Sequence, residues 1–310
     1  MNTSILLQPR FMPPEGIEIC FFENEKGKKI RYAHLGCKKA KAVLIYHAGL
    51  GQPLESDYEN IRDFQSLGLT TYVLERYGEN GSERMCKGRD FQKPPALHAK
   101  YFAEDLLFFS KKVVKEKLPQ IFIGSCYGSL LGLTSCTIED NHFQKMILAA
   151  PMFGSHFMDK NGGESYFAEM DITNKELQYW GKAQDWSWNL AMKLLENDPT
   201  TSDKERGALI HLWRKQNPSL QIGGFTFGRI KVTAQSVLDI LKPDVLENVN
   251  TPVVIISGKL DSHNLVERHQ VVADRLPNAS LYDLVGAKHG LFRESDIWRD
   301  KVFGIIKYNI

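Results

Sequence analysis

The chain has 310 residues, of which 43% are hydrophobic and 25% charged, a composition typical of one globular unit with a sizeable core. The formal net charge is only +2, so bulk electrostatics give no reason to expect a nucleic acid partner. Five scattered cysteines, an odd number, argue against a disulfide framework and indicate a reducing, cytoplasmic location. We expect neither a signal peptide nor a transmembrane segment, because no apolar run is long enough.

The first third of the chain predicts a hairpin followed by strands that alternate with helices. Residues 17–22 and 29–34 have strand-like patterns and are joined by a polar turn, which is typical of a hairpin. Residues 42–46 form a short apolar run that fits a buried parallel strand. A helix at 56–67, a strand at 70–74 and helical spacing within 97–118 follow in that order.

Residues 120–129 contain the most informative motif of the chain. They predict a short buried strand, an abrupt turn and a helix that begins at about Tyr127. Gly124 and Gly128 flank Cys126, and a Cβ atom at either glycine would clash where the helix passes close to the strand. A strand–turn–helix with a Gly-x-nucleophile-x-Gly pattern is the nucleophile elbow of α/β-hydrolases, so Cys126 is the candidate nucleophile. The alternative is an unreactive, buried thiol in a glycine-containing turn.

After a strand at 143–149, the alternation of strands and helices is interrupted. Residues 152–240 are mainly helical in pattern, and Ser202 with Glu205 predicts a capping box for one of these helices. We therefore predict an α/β fold with a mostly parallel sheet, helices on both faces and a helical cap inserted after the sixth strand. Alternation resumes with strands at 252–257 and 280–284 and helices at 265–275 and 297–306. The predicted core comprises residues 1–151 and 244–310, and the predicted cap comprises residues 152–243.

Two further residues form a catalytic constellation with Cys126. Asp261 follows the strand at 252–257, and His289 lies on a loop after the next strand. The chain order of nucleophile, acid and histidine is that of α/β-hydrolases. A helix N-terminus lowers the pKa of a thiol, and a histidine supplies a base for it. Taken singly, His289 fits a solvated loop histidine and Asp261 an ordinary turn residue, so their joint placement is what favours a triad.

An acyl-transfer site also needs N–H donors for the oxyanion that develops on the substrate. One donor is predicted at Tyr127, directly after the nucleophile. The second is expected in the loop after the strand at 42–46, where Gly49 precedes Leu50. We assign it to the amide of Leu50, with Ala48 as the alternative if the loop is aligned one residue off.

Several motifs together resemble the α/β-hydrolase fold and, more narrowly, its bacterial lysophospholipase and monoacylglycerol lipase branch. Residues 47–51, His-Ala-Gly-Leu-Gly, are similar to the family's His-Gly oxyanion segment, and residues 76–82 to its Arg-Gly-x-Gly-x-Ser loop. The resemblance implies ester hydrolysis through an acyl-enzyme, with a cap that shapes an acyl-chain pocket. It implies a small-molecule acyl ester or lipid as substrate and transient membrane contact through the cap. Further similarities lie at residues 150–153, 223–226, 258–261 and 286–289.

Two departures from the family's pattern bear on function. The elbow carries Cys126 where family members have serine, and the His-Gly pair is spread into His-Ala-Gly at residues 47–49. A cysteine at this place is similar to dienelactone hydrolases, in which the thiol is the nucleophile. Three interpretations remain open. In the first, Cys126 is a natural nucleophile for esters, lactones or thioesters, and water or another molecule accepts the acyl group. In the second, it is an engineered replacement that traps an intermediate. In the third, the site has lost its activity and binds a lipid or partner without turnover.

We expect no cofactor and no metal. The histidines form no His-Glu-x-x-His motif, no Cys-x-x-Cys pair is present, and the glycine pair at 49 and 51 lacks the third glycine of a dinucleotide fingerprint. The predicted cap is rich in aromatic residues, which either line an apolar cleft for an acyl chain or pack the cap helices together. These residues are Tyr179, Trp180, Trp186, Trp188, Trp213, Phe225 and Phe227.

Overall fold

The computed structural model describes residues 5, 6 and 8–310, and its centre is one β-sheet. The strands are β1 (Glu18–Glu23), β2 (Lys29–Leu35), β3 (Ala42–His47), β4 (Leu69–Leu74), β5 (Gln120–Ser125), β6 (Lys145–Ala149), β7 (Val253–Gly258) and β8 (Ala279–Leu284). Within the described residues these eight strands are ordered β1-β2-β4-β3-β5-β6-β7-β8. The hairpin of β1 and β2 is antiparallel, β2 pairs antiparallel with β4, and the remaining neighbours are parallel. The predicted hairpin and mostly parallel sheet are thus confirmed.

Helices cover both faces of the sheet. The helices of the described residues are α1 (Tyr58–Ser66), α2 (Ala99–Lys112), α3 (Tyr127–Ile138), α4 (His156–Asp159), α5 (Gly163–Glu169), α6 (Trp188–Glu196), α7 (Lys204–Gln216), α8 (Phe227–Ile240), α9 (Val266–Arg275) and α10 (Asp296–Asn309). Side chains of β3 alternate between two buried clusters: Val43 packs with Phe102 of α2, and Leu44 packs with Phe64 of α1. This alternation explains why parallel strands buried on both faces are continuously apolar. Among the described residues, none of the helices combines the length and apolarity needed to span a bilayer.

The parallel register brings the carboxyl ends of neighbouring strands to one edge of the sheet. His47 at the end of β3 lies opposite Gly124 of β5, and Ser125 lies opposite Ala149 of β6. Ala149 in turn pairs with Ile256 of β7. Ligands of open α/β sheets bind beyond the carboxyl ends of the strands, so the loops at this edge are where a site is expected.

The segment between β6 and β7 contains helices α4 to α8, but it is less helical than the sequence pattern indicates. Residues 170–187 form turns and irregular structure instead of a helix. Asn174 and Gly181 in this stretch have φ angles of 60° and 57°. Left-handed backbone at two positions is incompatible with a continuous right-handed helix.

The predicted capping box of Ser202 and Glu205 is wrong. Helix α7 begins at Lys204, and the Asp203 carboxylate accepts hydrogen bonds from the amides of Glu205 and Arg206, each at 3.0 Å. The Asp203 side chain precedes the helix directly and satisfies two of its free N–H groups, which leaves Ser202 outside the cap. Glu205 is therefore available to pair with Arg10 near the N-terminus.

Candidate active site

Cys126 occupies a strained turn between β5 and α3. Its backbone has φ 53° and ψ −116°. Positive φ is uncommon for residues other than glycine, and such strain is retained mainly where a function requires it. The side chain is 8% exposed and lines a cavity. The geometry is that of a nucleophile presented between a strand and a helix N-terminus.

The two glycines that flank Cys126 are required by close packing of the turn. A Cβ atom at Gly124 would lie 2.6 Å from the amide nitrogen of Ser129 in α3. A Cβ atom at Gly128 would overlap the carbonyl oxygen of His47 at the end of β3. Both contacts are with backbone atoms, which cannot rotate away.

Gly128→Ala is expected to lower the free energy of unfolding by about 3 kcal/mol, because overpacking against backbone cannot relax. Gly304→Ala is the matched control, since Gly304 is exposed in α10 and a Cβ there meets no described atom within 4 Å. That control should raise the free energy of unfolding by about 0.5–1 kcal/mol, the ordinary helix preference for alanine. Urea denaturation measures both values, and equal stability of the two variants would contradict the close passage of α3 over β3.

The structure brings Asp261 and His289 together at the same edge of the sheet. Asp261 follows β7, His289 follows β8, and His289 Nδ1 donates to Asp261 Oδ2 at 2.7 Å. The other carboxylate oxygen accepts from the amides of His263 and Asn264 at 2.8 and 2.9 Å. Burial alone would raise the pKa of Asp261, but His289 and the two amides hold it below its ordinary value. Asp261 is therefore an anchored carboxylate that fixes the orientation of the His289 ring.

His289 is coupled to both Asp261 and Cys126. Burial would lower the pKa of His289, but the negative charge of the Cys126 thiolate and that of Asp261 raise it to about 10. The hydrogen bond with Asp261 acts in the same direction. His289 hydrogen-bonds Asp261, and His289 and Cys126 line the same cavity, so the three predicted residues lie in one region of the structure.

Asp261→Asn should move the titration of the His289 imidazole from about 10 towards the ordinary value of about 6.5. The reason is that the carboxylate charge is one of the causes that raise this pKa. Since the pKa is raised on folding, His289 stabilises the fold fully below about pH 6.5 and loses this contribution as the pH rises through about 10. An NMR titration of the ring protons measures the midpoint. Asp283→Asn, a half-exposed carboxylate paired with Lys259, is the control and should leave the midpoint in place.

The predicted oxyanion donors border the nucleophile with unused N–H groups. Gly49 and Leu50 line the cavity, whereas Ala48, the alternative donor, does not. A Cβ atom at Gly49 would lie 3.3 Å from the Cβ of Cys126, so the loop passes directly beside the thiol. Among the hydrogen bonds of the described residues, none is donated by the amide of Leu50 or of Tyr127. Two free N–H groups beside a nucleophile can stabilise a developing oxyanion.

A buried ion network holds the oxyanion loop in place. Arg76, which follows β4, donates to the carbonyl oxygen of Gly49 at 2.6 Å and to Glu79 at 2.6 Å. Glu79 also accepts from the amide of Gly51 at 3.1 Å, and Arg229 of α8 pairs with its second oxygen at 3.1 Å. Burial alone would raise the pKa of Glu79, but the two arginines lower it to about 2. In the sequence, residues 76–82 stand out only through their resemblance to a family motif; the charged residues after β4 were the available signal for the ion network.

His263 and Asn264, two and three residues after Asp261, also border the predicted triad, and neither was predicted from the sequence. The His263 ring stacks on that of His289, with centroids 4.9 Å apart. Burial and the charge on His289 lower the pKa of His263 to about 4, so it is neutral at pH 7. Asn264 approaches the sulfur of Cys126, with 3.9 Å between Nδ2 and Sγ. Their position two and three residues after the predicted acid was the signal that could have identified them.

A cavity of about 500 Å³ opens in front of Cys126 and His289. Its size is typical of a small-molecule site, and most of its walls are apolar. Among the described residues, no group of histidine, cysteine, aspartate and glutamate side chains is arranged to hold a metal ion. The apolar lining side chains are Leu50, Pro94, Met152, Phe157, Met158, Ile210, Ile222, Phe225, Ile230 and Phe292, and the charged ones outside the triad are Glu79, Arg214, Arg229 and Arg293.

Most of the aromatic residues singled out between β6 and β7 pack the structure and do not line the cavity. Phe225 is the exception. Trp180 packs edge-on against Phe227 with centroids 4.8 Å apart, and Trp213 packs against Tyr58 of α1 at 5.7 Å. Most large rings of this segment fill space between elements, while methionine, aliphatic and a few phenylalanine side chains form the apolar cavity wall.

Comparison with known proteins identifies the family and the fold. The family described as serine aminopeptidase, S33, matches residues 38–296. A soluble variant of monoglyceride lipase from Saccharomyces cerevisiae, solved in complex with a substrate analogue, superposes with a TM-score of 0.69 at 17% identity over 94% of each chain. A carboxyl esterase from Bacillus coagulans, solved with glycerol, superposes with a TM-score of 0.73 at 15% identity over 95% of this chain and 98% of that one. These likenesses show an α/β-hydrolase fold; no curated protein sequence matches significantly.

Proposed function

The chain belongs to the serine aminopeptidase, S33, family, and on this premise we propose that it hydrolyses carboxylic esters with Cys126 as its nucleophile. The observation that carries the proposal is that His289 hydrogen-bonds Asp261 and lines the same apolar cavity as Cys126, whose charge raises its pKa. The family's name specifies a serine nucleophile, so the thiol of Cys126 departs from the family, whereas the predicted acid and base are kept. A thiolate paired with an imidazolium is a competent nucleophile.

Acylation begins from the thiolate–imidazolium pair of Cys126 and His289, in which Nε2 of His289 carries the proton. Asp261 accepts the hydrogen bond from Nδ1 and thereby keeps Nε2 directed at the sulfur. The thiolate attacks the acyl carbon, a C–S bond forms, and the carbonyl π electrons move to oxygen. The amides of Leu50 and Tyr127 stabilise this oxyanion. Collapse of the intermediate breaks the ester C–O bond, and His289 protonates the departing alcohol.

Deacylation repeats these steps with water as the nucleophile. His289 removes a proton from a water molecule, whose oxygen attacks the thioester carbonyl. The same two amides stabilise the second oxyanion. The C–S bond then breaks, the carboxylic acid leaves, and the thiolate–imidazolium pair is restored.

The charges of the cavity favour esters over the peptides that the family name specifies. An aminopeptidase binds the free ammonium group of its substrate, which requires an available carboxylate or similar acceptor. Among the described residues that line the cavity, Glu79 is the only carboxylate outside the triad, and it is already paired with Arg76 and Arg229. The two structural neighbours described above are named as a lipase and an esterase. Both considerations support an ester substrate with an apolar acyl chain.

p-Nitrophenyl esters test the proposal directly. Butyrate should be hydrolysed with a kcat/KM about 10-fold above acetate, because two further methylene groups are buried at about 0.8 kcal/mol each. L-Leucine p-nitroanilide is the control for aminopeptidase activity and should not be cleaved. Cleavage of the anilide without cleavage of any ester would overturn the proposal.

A further inference from the structure

Arg214 of α7 is a buried guanidinium that has no carboxylate partner. It is 8% exposed and lines the cavity in front of Cys126. Its one hydrogen bond to a described residue runs from Nη2 to the carbonyl oxygen of Gly51, at 2.7 Å. Nε is buried without a partner, and no described carboxylate oxygen lies within 4 Å of the guanidinium. A buried charge without a counter-charge is costly, so its retention calls for a ligand.

Other deeply buried arginines of this chain are neutralised by carboxylates. This contrast shows that the fold ordinarily pairs such charges and that Arg214 departs from the pattern. Arg84 also lacks a carboxylate, but three backbone carbonyl groups accept from it and it does not line the cavity. The pairs are Arg31 with Glu55 and Glu75, Arg76 with Glu79, Arg206 with Glu59, Asp203 and Asp296, Arg229 with Glu79, and Arg299 with Glu59 and Asp63.

The cavity has an excess of positive charge around Arg214. Arg293, three residues beyond the loop glycine that follows His289, also lines it and forms no ion pair with a described residue. Burial lowers the pKa of Arg214 to about 10, so it remains a cation at pH 7. Burial together with the charges of Arg214 and Arg293 lowers the pKa of His211 to about 4. A positive potential therefore acts on whatever occupies this part of the cavity.

The free arginine lies close to the reacting centre. The carbonyl that Arg214 contacts belongs to Gly51, and Gly49, two residues earlier, is the residue packed against Cys126. Two residues of backbone span about 7 Å at most. An anionic group held by Arg214 would thus lie in the same cavity as an acyl carbon at the sulfur.

We propose that Arg214 binds an anionic group of the substrate, so that the preferred ester carries a carboxylate or a phosphate near its reacting carbonyl. The proposal rests on the ester-hydrolase function and names its substrate class. A guanidinium binds carboxylate and phosphate through the same paired N–H donors, so either group is recognised by the same chemistry. The two sources differ in position: a carboxylate would end a short acyl chain, and a phosphate would belong to the alcohol part.

Matched substrate pairs test the proposal and separate the two sources. Mono-p-nitrophenyl glutarate is compared with p-nitrophenyl pentanoate, and 1-octanoylglycerol 3-phosphate with 1-octanoylglycerol. The anionic member of one pair should have the higher kcat/KM. Arg214→Met should lower the anionic-to-neutral ratio of that pair about 10- to 100-fold, the effect expected for loss of a charge-assisted hydrogen bond. The ratio is the readout, because loss of the bond to Gly51 affects both members of a pair alike.

Two further variants serve as controls for this measurement. Lys215→Met removes the same charge from the exposed next position of α7 and should leave both ratios unchanged. Arg214→Lys keeps a cation and should retain part of the preference, which covers the case in which Arg214→Met does not fold. Ratios in the wild type that favour neither anionic ester, or ratios that Arg214→Met leaves unaltered, would overturn the proposal.

Binding measured without turnover separates failure of this inference from failure of the proposed function. In the Cys126→Ala background, monomethyl glutarate and glycerol 3-phosphate are titrated by calorimetry, with and without Arg214→Met. One of the two anions should bind about 10- to 100-fold more weakly when Arg214 is replaced. Such binding by a chain that hydrolyses no ester would refute the ester-hydrolase function and leave the anion site standing. Hydrolysis of neutral esters with no Arg214-dependent anion binding would refute the anion site alone.

Discussion

Cys126→Ala is expected to reduce kcat/KM for p-nitrophenyl butyrate by at least about 10³-fold, as loss of a covalent nucleophile does in comparable triads. The Cβ of alanine retains the contact with Gly49, so the elbow should keep its shape. Cys136→Ala is the matched control. Cys136 is also a buried cysteine, on α3, but burial raises the pKa of its thiol to about 12 and it does not line the cavity. That variant should retain the activity of the wild type.

Cys126→Ser tests the chemical choice of sulfur over oxygen. If the thiol is the working nucleophile, the serine variant should be slower, because its hydroxyl must be deprotonated in the attack whereas the thiolate stands ready beside a charged His289. Activity confined to the serine variant would mean that the thiol blocks turnover. Activity in neither protein would favour a site that binds without catalysis.

Glu79→Ala is expected to cost about 3–5 kcal/mol of the free energy of unfolding, the usual effect of removing one partner from a buried ion pair. Glu79 is 1% exposed and is the shared partner of Arg76 and Arg229, so its loss leaves two buried cations without a counter-charge. Glu104→Ala is the control, since Glu104 forms an exposed pair with Lys26 and should cost about 1 kcal/mol or less. Urea denaturation measures both differences.

The same substitution should affect catalysis through the oxyanion loop. Glu79 accepts the amide of Gly51 and fixes Arg76, which holds the carbonyl group of Gly49. Loosening this loop displaces the predicted donor at Leu50, so kcat for p-nitrophenyl butyrate should fall about 10²-fold, the typical cost of one oxyanion donor. KM should change little, because Glu79 positions the loop and does not form the acyl pocket. A KM increase at constant kcat would contradict this positioning role.

The sequence was most informative where function depends on local geometry. Gly124 and Gly128 around Cys126 predict the elbow because each removes a clash within a few residues of the nucleophile. Asp261 and His289 were predicted from chain order and from the resemblance of their segments, and their loops follow successive parallel strands that end at one edge.

Long-range pairing was not visible in the sequence. Glu79 and Arg229 are 150 residues apart, and nothing in either segment indicates that they meet. In the sequence, Arg214 looks like an ordinary charged residue on a helix. Its lack of a carboxylate partner is visible only in the folded structure. Among local features, the helix cap was misplaced by one residue because Ser202 and Asp203 are both good caps in isolation. The boundaries of the cap, the cytoplasmic location and transient membrane contact through the cap stay predictions.

The most direct measurement of Cys126 as nucleophile is mass spectrometry of the protein after rapid acid quench during turnover of p-nitrophenyl butyrate. The thioester is covalent, so a butyryl group should be found on the peptide that contains Cys126 and should be absent from Cys126→Ala. Turnover by the wild type with no acyl group on Cys126, or with the group on Ser125 or another residue, would contradict the proposed triad.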